Sequence, residues 1–304
     1  MLPKNVLKNI IKNLSNLHSL LLFDIIIFYS KNDSKVDDFK FSKNLKKLEW
    51  ENCGQNEVSS TDYLRVKDLK VFALFNNQNM DISLNLVNTL KHLYWHSEVD
   101  DNQLFDEIIS NNPKLTSLDA TSRLLNANNF YHISNNSNLT KLSITHDGFH
   151  LDFDSTRLLN LSNIKTLKLY RLYDKDCTII DIIIENCNNL EELNIDYYVG
   201  FERSLKHFIN VLTRLKILSI YNNEYSLAKV YTALRHSNLE QLKVGSRNPI
   251  KFKSNNFNNF NRMKKLKFIE NYHLKTIKIP KYDELDNWRI IKYPKSTQYW
   301  KINS

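Results

Sequence analysis

Glycine is scarce in this chain of 304 residues, which contains four: Gly54, Gly148, Gly200 and Gly245. A loop that cradles a phosphate needs several glycines close together, because only then can the backbone approach the phosphate. No such run is present. Each glycine instead follows a leucine-containing phrase, where a turn is expected. The sequence therefore argues against a nucleotide-binding loop and predicts a turn at each glycine.

Cysteine and long apolar runs are also scarce, and both absences bear on the compartment. The three cysteines, Cys53, Cys177 and Cys187, are odd in number and form no Cys-x-x-Cys pair. This usage indicates reduced thiols inside the cell rather than a disulfide framework. The longest apolar stretch, residues 17–29, is interrupted by an aspartate and is shorter than the ~20 apolar residues that cross a bilayer. We therefore expect a cytoplasmic or nuclear protein with no membrane partner.

Two pairs of histidines have a spacing that suits metal binding on a helix, where residues four apart share a face. His92 and His96 flank a predicted strand, however, and four residues of a strand span ~13 Å, too far to share one ion. His146 and His150 lie on either side of Gly148, in a predicted turn. No nucleophile signature accompanies the scattered serines and aspartates. We therefore expect no metal, no cofactor and no catalytic activity.

The positive charge is concentrated in the last fifth of the chain. The net charge is +9, but the segment from Lys243 onward carries 15 Lys/Arg against 4 Asp/Glu, a net +11, whereas the remainder carries 27 against 29. Such a segment attracts nucleic acid. The densest basic run, residues 262–267, has no aromatic-basic recognition motif, and we expect Leu266 and Phe268 to belong to the core. Nucleic-acid binding is therefore a third alternative, behind two protein-binding interpretations.

A phrase of the form Leu-x-x-Leu-x-Leu recurs along most of the chain. Its nine copies, written by their three apolar positions, are Leu45/Leu48/Trp50, Leu69/Phe72/Leu74, Leu90/Leu93/Trp95, Leu115/Leu118/Ala120, Leu139/Leu142/Ile144, Ile164/Leu167/Leu169, Leu190/Leu193/Ile195, Leu215/Leu218/Ile220 and Leu239/Leu242/Val244. From Leu69 onward the first positions are 21, 25, 24, 25, 26, 25 and 24 residues apart. Residues 181–186, 204–212 and 226–234, between the phrases, have apolar residues at helical spacing. The sequence therefore predicts a short strand followed by a helix in each repeat.

Less certain copies lie at both ends of this series. Leu17/Leu20/Leu22 precedes it and Leu274/Ile277/Ile279 follows it. Residues 245–262 are rich in asparagine and are predicted to be a loop-like insertion before the last copy. The tail from Tyr282 contains several aromatic residues, which we expect to cover the apolar end that a stack of repeats leaves exposed.

The period and the phrase resemble the leucine-rich repeat. Cys187-Asn-Asn-Leu190 and the region of Cys53 resemble its cysteine-containing subtype, which is found behind F-boxes. The resemblance implies an α/β fold, a curved leucine-rich-repeat solenoid with a parallel sheet on the concave side and helices on the convex side. We assign the solenoid to residues 42–280 and a C-terminal cap to residues 281–304.

The first residues resemble the opening of an F-box, which starts Leu-Pro and continues as one amphipathic helix. The matching residues are Leu2, Pro3, Val6, Leu7, Ile10, Ile11 and Leu14. The resemblance implies that this helix binds a Skp-type adaptor of a cullin-type ubiquitin ligase. In the alternative, residues 1–41 contain the first repeat, because residues 10–20 align without a gap with residues 208–218. Both interpretations stay open, and pairing of residues 17–22 with the repeat sheet would distinguish them.

Strand alternation turns the third, fifth and seventh positions of each phrase away from the core. The residues predicted to bind a protein client on this concave face are Val71, Phe75, His92, Tyr94, His96, Asp119, Lys168, Tyr170 and Tyr221. Aromatic anchors dominate protein interfaces, although a neighbouring loop that covers this patch is an alternative. Together with the F-box resemblance, the face implies a non-catalytic substrate receptor, monomeric outside its complex. The nearest alternative is a free-standing repeat scaffold or inhibitor without ligase attachment.

Overall fold

The computed structural model describes residues 2–23, 26–28, 39–41, 44–51, 54–56, 62–65, 71–75, 82–83, 89–96, 102–146, 160–171, 177–197, 201–222, 228–246, 254–273 and 287–302. They form a mixed α/β structure with a large, mostly parallel sheet. The chain divides into two compact units, Met1–Asp154 and Ser155–Ser304. Of the predicted repeats, the copy at Leu274/Ile277/Ile279 lies outside the described residues.

The described part of the first unit contains twelve short strands and three α-helices, and strand and helix alternate between residues 92 and 145. Its strands are β1 Leu2–Pro3, β2 Ser19–Phe23, β3 Ile26–Phe28, β4 Phe39–Lys40, β5 Lys47–Glu51, β6 Gly54–Asn56, β7 Asp62–Arg65, β8 Val71–Phe75, β9 Ile82–Ser83, β10 His92–His96, β11 Ser117–Thr121 and β12 Lys141–Thr145. Its helices are α1 Lys4–Asn13, α2 Asn102–Asn111 and α3 Ala127–Asn135. Strands β2, β5, β8, β10, β11 and β12 are parallel and adjacent in that order. Two small parallel groups, β1-β3-β6 and β4-β7-β9, accompany them.

The second unit continues the alternation of strand and helix. Its strands are β13 Thr166–Tyr170, β14 Glu192–Asp196, β15 Ile217–Asn222, β16 Gln241–Ser246, β17 Phe268–His273, β18 Trp288–Lys292 and β19 Ser296–Lys301. Its helices are α4 Cys177–Glu185, α5 Phe201–Val211, α6 Ala228–Leu234 and α7 Ser254–Arg262. Strands β13 to β17 are parallel in chain order. Helices α4, α5 and α6 overlap the three segments with helical spacing, so those predictions are confirmed.

The leucines of the repeated phrase form the core because equivalent positions of neighbouring strands lie side by side. Leu167 pairs with Leu193, Leu193 with Leu218, and Leu218 with Leu242. All four side chains are fully buried. Burial of one leucine contributes roughly 1.5–3 kcal/mol, and each leucine is covered by its neighbours in the adjacent repeats. Folding of one strand therefore depends on the strands beside it.

A forked backbone hydrogen bond precedes seven of the described strands: β5, β11, β12, β14, β15, β16 and β17. The carbonyl oxygen of Lys165 accepts from the backbone N–H groups of Glu191 and Glu192, at 2.9 and 3.0 Å. The Lys216 carbonyl accepts from the backbone N–H groups of Glu240 and Gln241 in the same way, at 2.8 and 3.0 Å. Each fork satisfies two backbone donors that would otherwise be unpaired between helix and strand. The fork therefore fixes the register of successive strands.

The position three residues before each phrase closes the turn from helix to strand. From residue 112 onward, the side chain at this position is buried in six described repeats: Asn112, Asn136, Leu161, Cys187, Leu212 and Met263. The repeat at Leu239 is the exception. Cys187 Sγ donates to the Ile183 carbonyl at 3.2 Å, and the Cys187 carbonyl accepts from Leu190 N at 2.9 Å. Burial raises the pKa of the Cys187 thiol. The position thus accepts several side chains that fill space, and cysteine is one of them.

The predicted loop-like insertion at residues 245–262 is wrong where the structure describes this segment, at residues 245–246 and 254–262. Residues 254–262 form α7, and the next strand is β17. Leu266, just before β17, and Ile269, within it, occupy the first two apolar positions of the phrase and are buried. The third phrase position is Asn271, also buried. Because the residue at this position is polar, leucine spacing alone does not indicate this repeat. The clustered phenylalanines of α7 do have helical spacing, because Phe257 and Phe260 are three residues apart and both are buried.

An antiparallel hairpin completes the second unit. Strand β19 pairs with β17 and with β18, so the hairpin covers the edge that β17 would otherwise expose. Trp288 is buried and donates from Nε1 to Asn261 Oδ1 at 2.8 Å. The ring of Phe257 packs against Trp288 and Tyr299, with centroids 5.9 and 5.4 Å apart. Aromatic packing therefore joins the hairpin to α7.

The strand register predicts opposite effects of two adjacent substitutions in β10. Leu93→Ala should lower the free energy of unfolding by ~2–5 kcal/mol, because Leu93 is fully buried and its truncation leaves a cavity. Tyr94→Ala should cost less than about 1 kcal/mol, because that side chain is on the other face. Urea denaturation followed by circular dichroism measures both. Equal destabilisation by the two substitutions would show that the register is shifted by one residue.

Candidate protein-binding face

The first unit presents ring side chains on the face of β10 opposite the core. Leu93 and Trp95 are buried, whereas His92, Tyr94 and His96 alternate with them and are only partly buried. This pattern arises because successive side chains of a strand point to opposite faces. The structure therefore brings three of the predicted binding residues together on one strand.

Asp119 of β11 is next to this group and holds one of its histidines. Asp119 Oδ1 lies 2.7 Å from His96 Nε2, a hydrogen bond that becomes an ion pair when the histidine is protonated. Burial, with help from Lys141 and Lys91, lowers the pKa of His92. His92 is therefore neutral near physiological pH, and the face presents an uncharged imidazole beside a fixed His96–Asp119 pair.

Val71 and Phe75 are next to the same group through backbone pairing. Val71 pairs with His92, and Phe75 pairs with His96, in the parallel alignment of β8 and β10. The side chains of both residues lie outside the described part of the chain, so the register alone places them in the row. The backbone thus brings all six predicted residues of this unit onto three adjacent strands.

The middle positions of the face are less accessible than the alternation predicts. Ser143, Asn194 and Ser219 occupy the fifth phrase position, and all three are buried. Strands of a sheet are about 4.8 Å apart, so a short side chain between larger neighbours has little contact with solvent. The predicted exposure of these three residues is therefore wrong, whereas Tyr94, Asp119 and Lys168 at the same position are partly exposed.

The second unit carries tyrosines in its seventh-position row. The rings of Tyr170 and Tyr221 make an edge-to-face contact with centroids 5.9 Å apart. Tyr272, at the same position of β17, is 40% exposed. The sequence pattern does not indicate this residue, because the polar Asn271 interrupts the apolar phrase of that repeat. Lys168 is in the adjacent fifth-position row. The two tyrosines predicted from the sequence are thus in contact, and a third extends the row.

Gly245 makes room for this row and does not form a turn. It lies within β16, paired between Tyr221 of β15 and Tyr272 of β17. A Cβ atom at this position would be 2.6 Å from Tyr221 Cδ1. Gly54 is likewise within strand β6. The prediction of a turn is therefore wrong for both glycines; Gly148 and Gly200 lie outside the described residues.

The N-terminal helix has two different apolar stripes. Leu7 and Ile11 are 2% exposed, whereas Val6, Ile10 and Leu14 are 40%, 46% and 41% exposed. Leu2 and Pro3 precede the helix as strand β1, which pairs with β3. Strand β2 contains the last two residues of the predicted copy Leu17/Leu20/Leu22. It pairs in register with β5, where Leu20 is opposite Leu48 and Leu22 opposite Trp50. Residues 19–22 of the predicted copy thus belong to the large sheet.

The described residues show no metal-binding group at the histidine pairs and no helix that could cross a membrane. His92 and His96 are both on β10, and His146 is buried directly after β12, while His150 lies outside the described residues. Across the described ranges, no group of three or more His, Cys, Asp or Glu side chains is arranged to hold a metal ion. Within the same ranges, every helix is too short or too polar to cross a membrane.

Fold and face together define an alternating strand–helix protein with a partly aromatic sheet surface. No protein-family model matches the chain, and no curated protein matches its sequence. The residues themselves therefore carry any functional argument.

Proposed function

We propose that this chain is a non-catalytic leucine-rich-repeat protein, a solenoid that binds another protein through the exposed face of its sheet. The observation that carries the proposal is the group on β10 and β11, in which His92, Tyr94 and His96 are partly exposed beside Asp119. A tyrosine supplies a large contact area with a polar end and loses little conformational freedom on binding. The His96–Asp119 bond further reduces the cost of ordering this surface.

The group suits a protein partner better than a small molecule. The side chains belong to a row on a sheet, they are partly exposed, and their spacing follows the strands. Recognition of a protein uses such open surfaces, with a few aromatic anchors that contribute most of the binding energy. The sheet face therefore supports the client-binding part of the interpretation.

Replacing His92 and Tyr94 together with alanine should weaken partner binding by about 2 kcal/mol or more, roughly thirtyfold. The chain is immobilised, captured proteins are identified by mass spectrometry, and the purified candidate is titrated by calorimetry. Tyr131→Ala is the matched control, because Tyr131 is 62% exposed on α3 and away from the face. A partner that binds the double variant as tightly as the wild-type chain would refute the proposal.

A second candidate function is attachment to a Skp-type adaptor, which would make the chain a substrate receptor of a ubiquitin ligase. The exposed stripe of Val6, Ile10 and Leu14 favours it, because a helix with an uncovered apolar side suits docking against a partner. The pairing of β2 with β5 favours a first repeat in the same region. The two roles are compatible only if the exposed stripe, and not the buried one, contacts the adaptor.

The two stripes of α1 separate these roles experimentally. Val6→Asp with Ile10→Asp should abolish binding of a purified Skp-type adaptor while leaving the melting temperature nearly unchanged, because both side chains are exposed. Leu7→Asp with Ile11→Asp should lower the melting temperature, since two buried charges without partners are costly. Size-exclusion chromatography and thermal melting provide the two readouts. Absence of a complex with the wild-type chain would leave a free-standing repeat protein.

A further inference from the structure

The tyrosine row of the second unit, Tyr170, Asp196, Tyr221, Gly245 and Tyr272, combines aromatic rings with a carboxylate. Asp196 pairs with Tyr221, Tyr221 with Gly245, and Gly245 with Tyr272. Tyr170 follows Leu169, which pairs with Ile195, so Tyr170 is beside Asp196. The contact between the rings of Tyr170 and Tyr221 spans the strand that carries Asp196. Asp196 is therefore flanked by two tyrosine rings.

Acidic groups surround Tyr221 in this row although the chain as a whole is positive. Burial raises the pKa of Tyr221, and the charged groups that raise it further are Asp196, Glu192 and Glu270. Glu192 accepts a hydrogen bond from the neutral Asn194 amide at 2.9 Å, and Glu270 accepts one from the neutral Gln298 amide at 3.3 Å. Lys243 pairs with Glu270 on the neighbouring strand, so a cation lies beside that glutamate. The faces of the tyrosine rings add further negative potential.

The tyrosine row is partly open to solvent. Gly245 removes the Cβ that would collide with the ring of Tyr221, so this ring lies across β16. Tyr221 and Tyr272, on either side of the glycine, are each 40% exposed. Asp196 Oδ2 accepts from the backbone N–H of Arg171, which fixes the carboxylate. Burial raises the pKa of Asp196, and the Arg171 hydrogen bond and charge oppose that rise. A cation placed here would meet a carboxylate and aromatic faces together.

We infer that the tyrosine row receives a lysine or arginine side chain presented by an extended segment of a partner protein. The inference rests on the proposed protein-binding function and specifies the partner's chemistry at this part of the face. Carboxylate and ring attract the same cation, and the ring interaction strengthens as water is displaced. Lys168 and Lys243, in the adjacent row, would instead favour an acidic segment, and the experiment distinguishes the two.

The test uses the full chain and two fluorescent peptides, one of alternating serine and lysine and the other of alternating serine and glutamate. Fluorescence anisotropy at low and at physiological salt measures both affinities. Non-specific attraction to a chain of net charge +9 favours the glutamate peptide. Tighter binding of the lysine peptide is the expected result, and equal or tighter binding of the glutamate peptide would overturn the inference.

Site variants with matched controls locate the binding. Asp196→Asn and Tyr221→Leu should each weaken the lysine peptide by about fivefold or more. Glu107→Gln and Tyr131→Leu, which change exposed residues on α2 and α3, should not. Tyr272→Leu, at the exposed end of the row, provides a further variant if Tyr221→Leu lowers the melting temperature. Equal losses in the control variants, or none in the site variants, would overturn the inference.

Failure of this inference and failure of the proposed function are distinguishable. The proposed function depends on His92 and Tyr94 and on a captured partner, whereas the peptide experiment needs no captured partner. If the lysine peptide does not bind but the partner still requires His92 and Tyr94, only the inference about the tyrosine row is overturned.

Discussion

The structure depends on the side-by-side burial of equivalent leucines from successive repeats. One strand with its helix cannot cover its own apolar face, so each repeat needs the next. The forked hydrogen bond at carbonyls such as Lys165 and Lys216 aligns neighbouring strands, and the alignment places Leu167, Leu193 and Leu218 in contact. Register and burial therefore reinforce each other, because a shift by one residue would expose every leucine.

The same alignment determines the opposite face of the sheet. Because equivalent positions are adjacent, residues of one type accumulate in rows, as with the tyrosines at the seventh position. A small residue in such a row leaves space for a large neighbour. Gly245 of β16 allows the Tyr221 ring to lie across β16. The surface available to a partner is thus a consequence of the core, and both arise from one repeated phrase.

Strands and helices with regularly spaced apolar residues could be predicted from the sequence, as α5 and β14 show. Burial of one face requires apolar residues at the spacing that is typical of a helix or a strand. Strand β17 could not be found by leucine spacing, because Asn271 replaces the third apolar residue. The contact of Tyr170 with Tyr221 follows from the register only after the strands are aligned. Burial of Ser143 and Ser219 could not be predicted, because it depends on the size of neighbouring side chains rather than on alternation.

The central claim is that the leucines are aligned in register across adjacent strands. Methyl-labelled leucine and isoleucine side chains allow nuclear Overhauser effects to report this directly, since adjacent strands are about 4.8 Å apart. The account predicts strong cross-peaks from Leu193 to Leu167 and to Leu218, and a weaker one from Leu193 to Ile220, which is diagonal to it. A strong Leu193–Ile220 cross-peak without the Leu193–Leu218 cross-peak would contradict the register and the exposed face deduced from it.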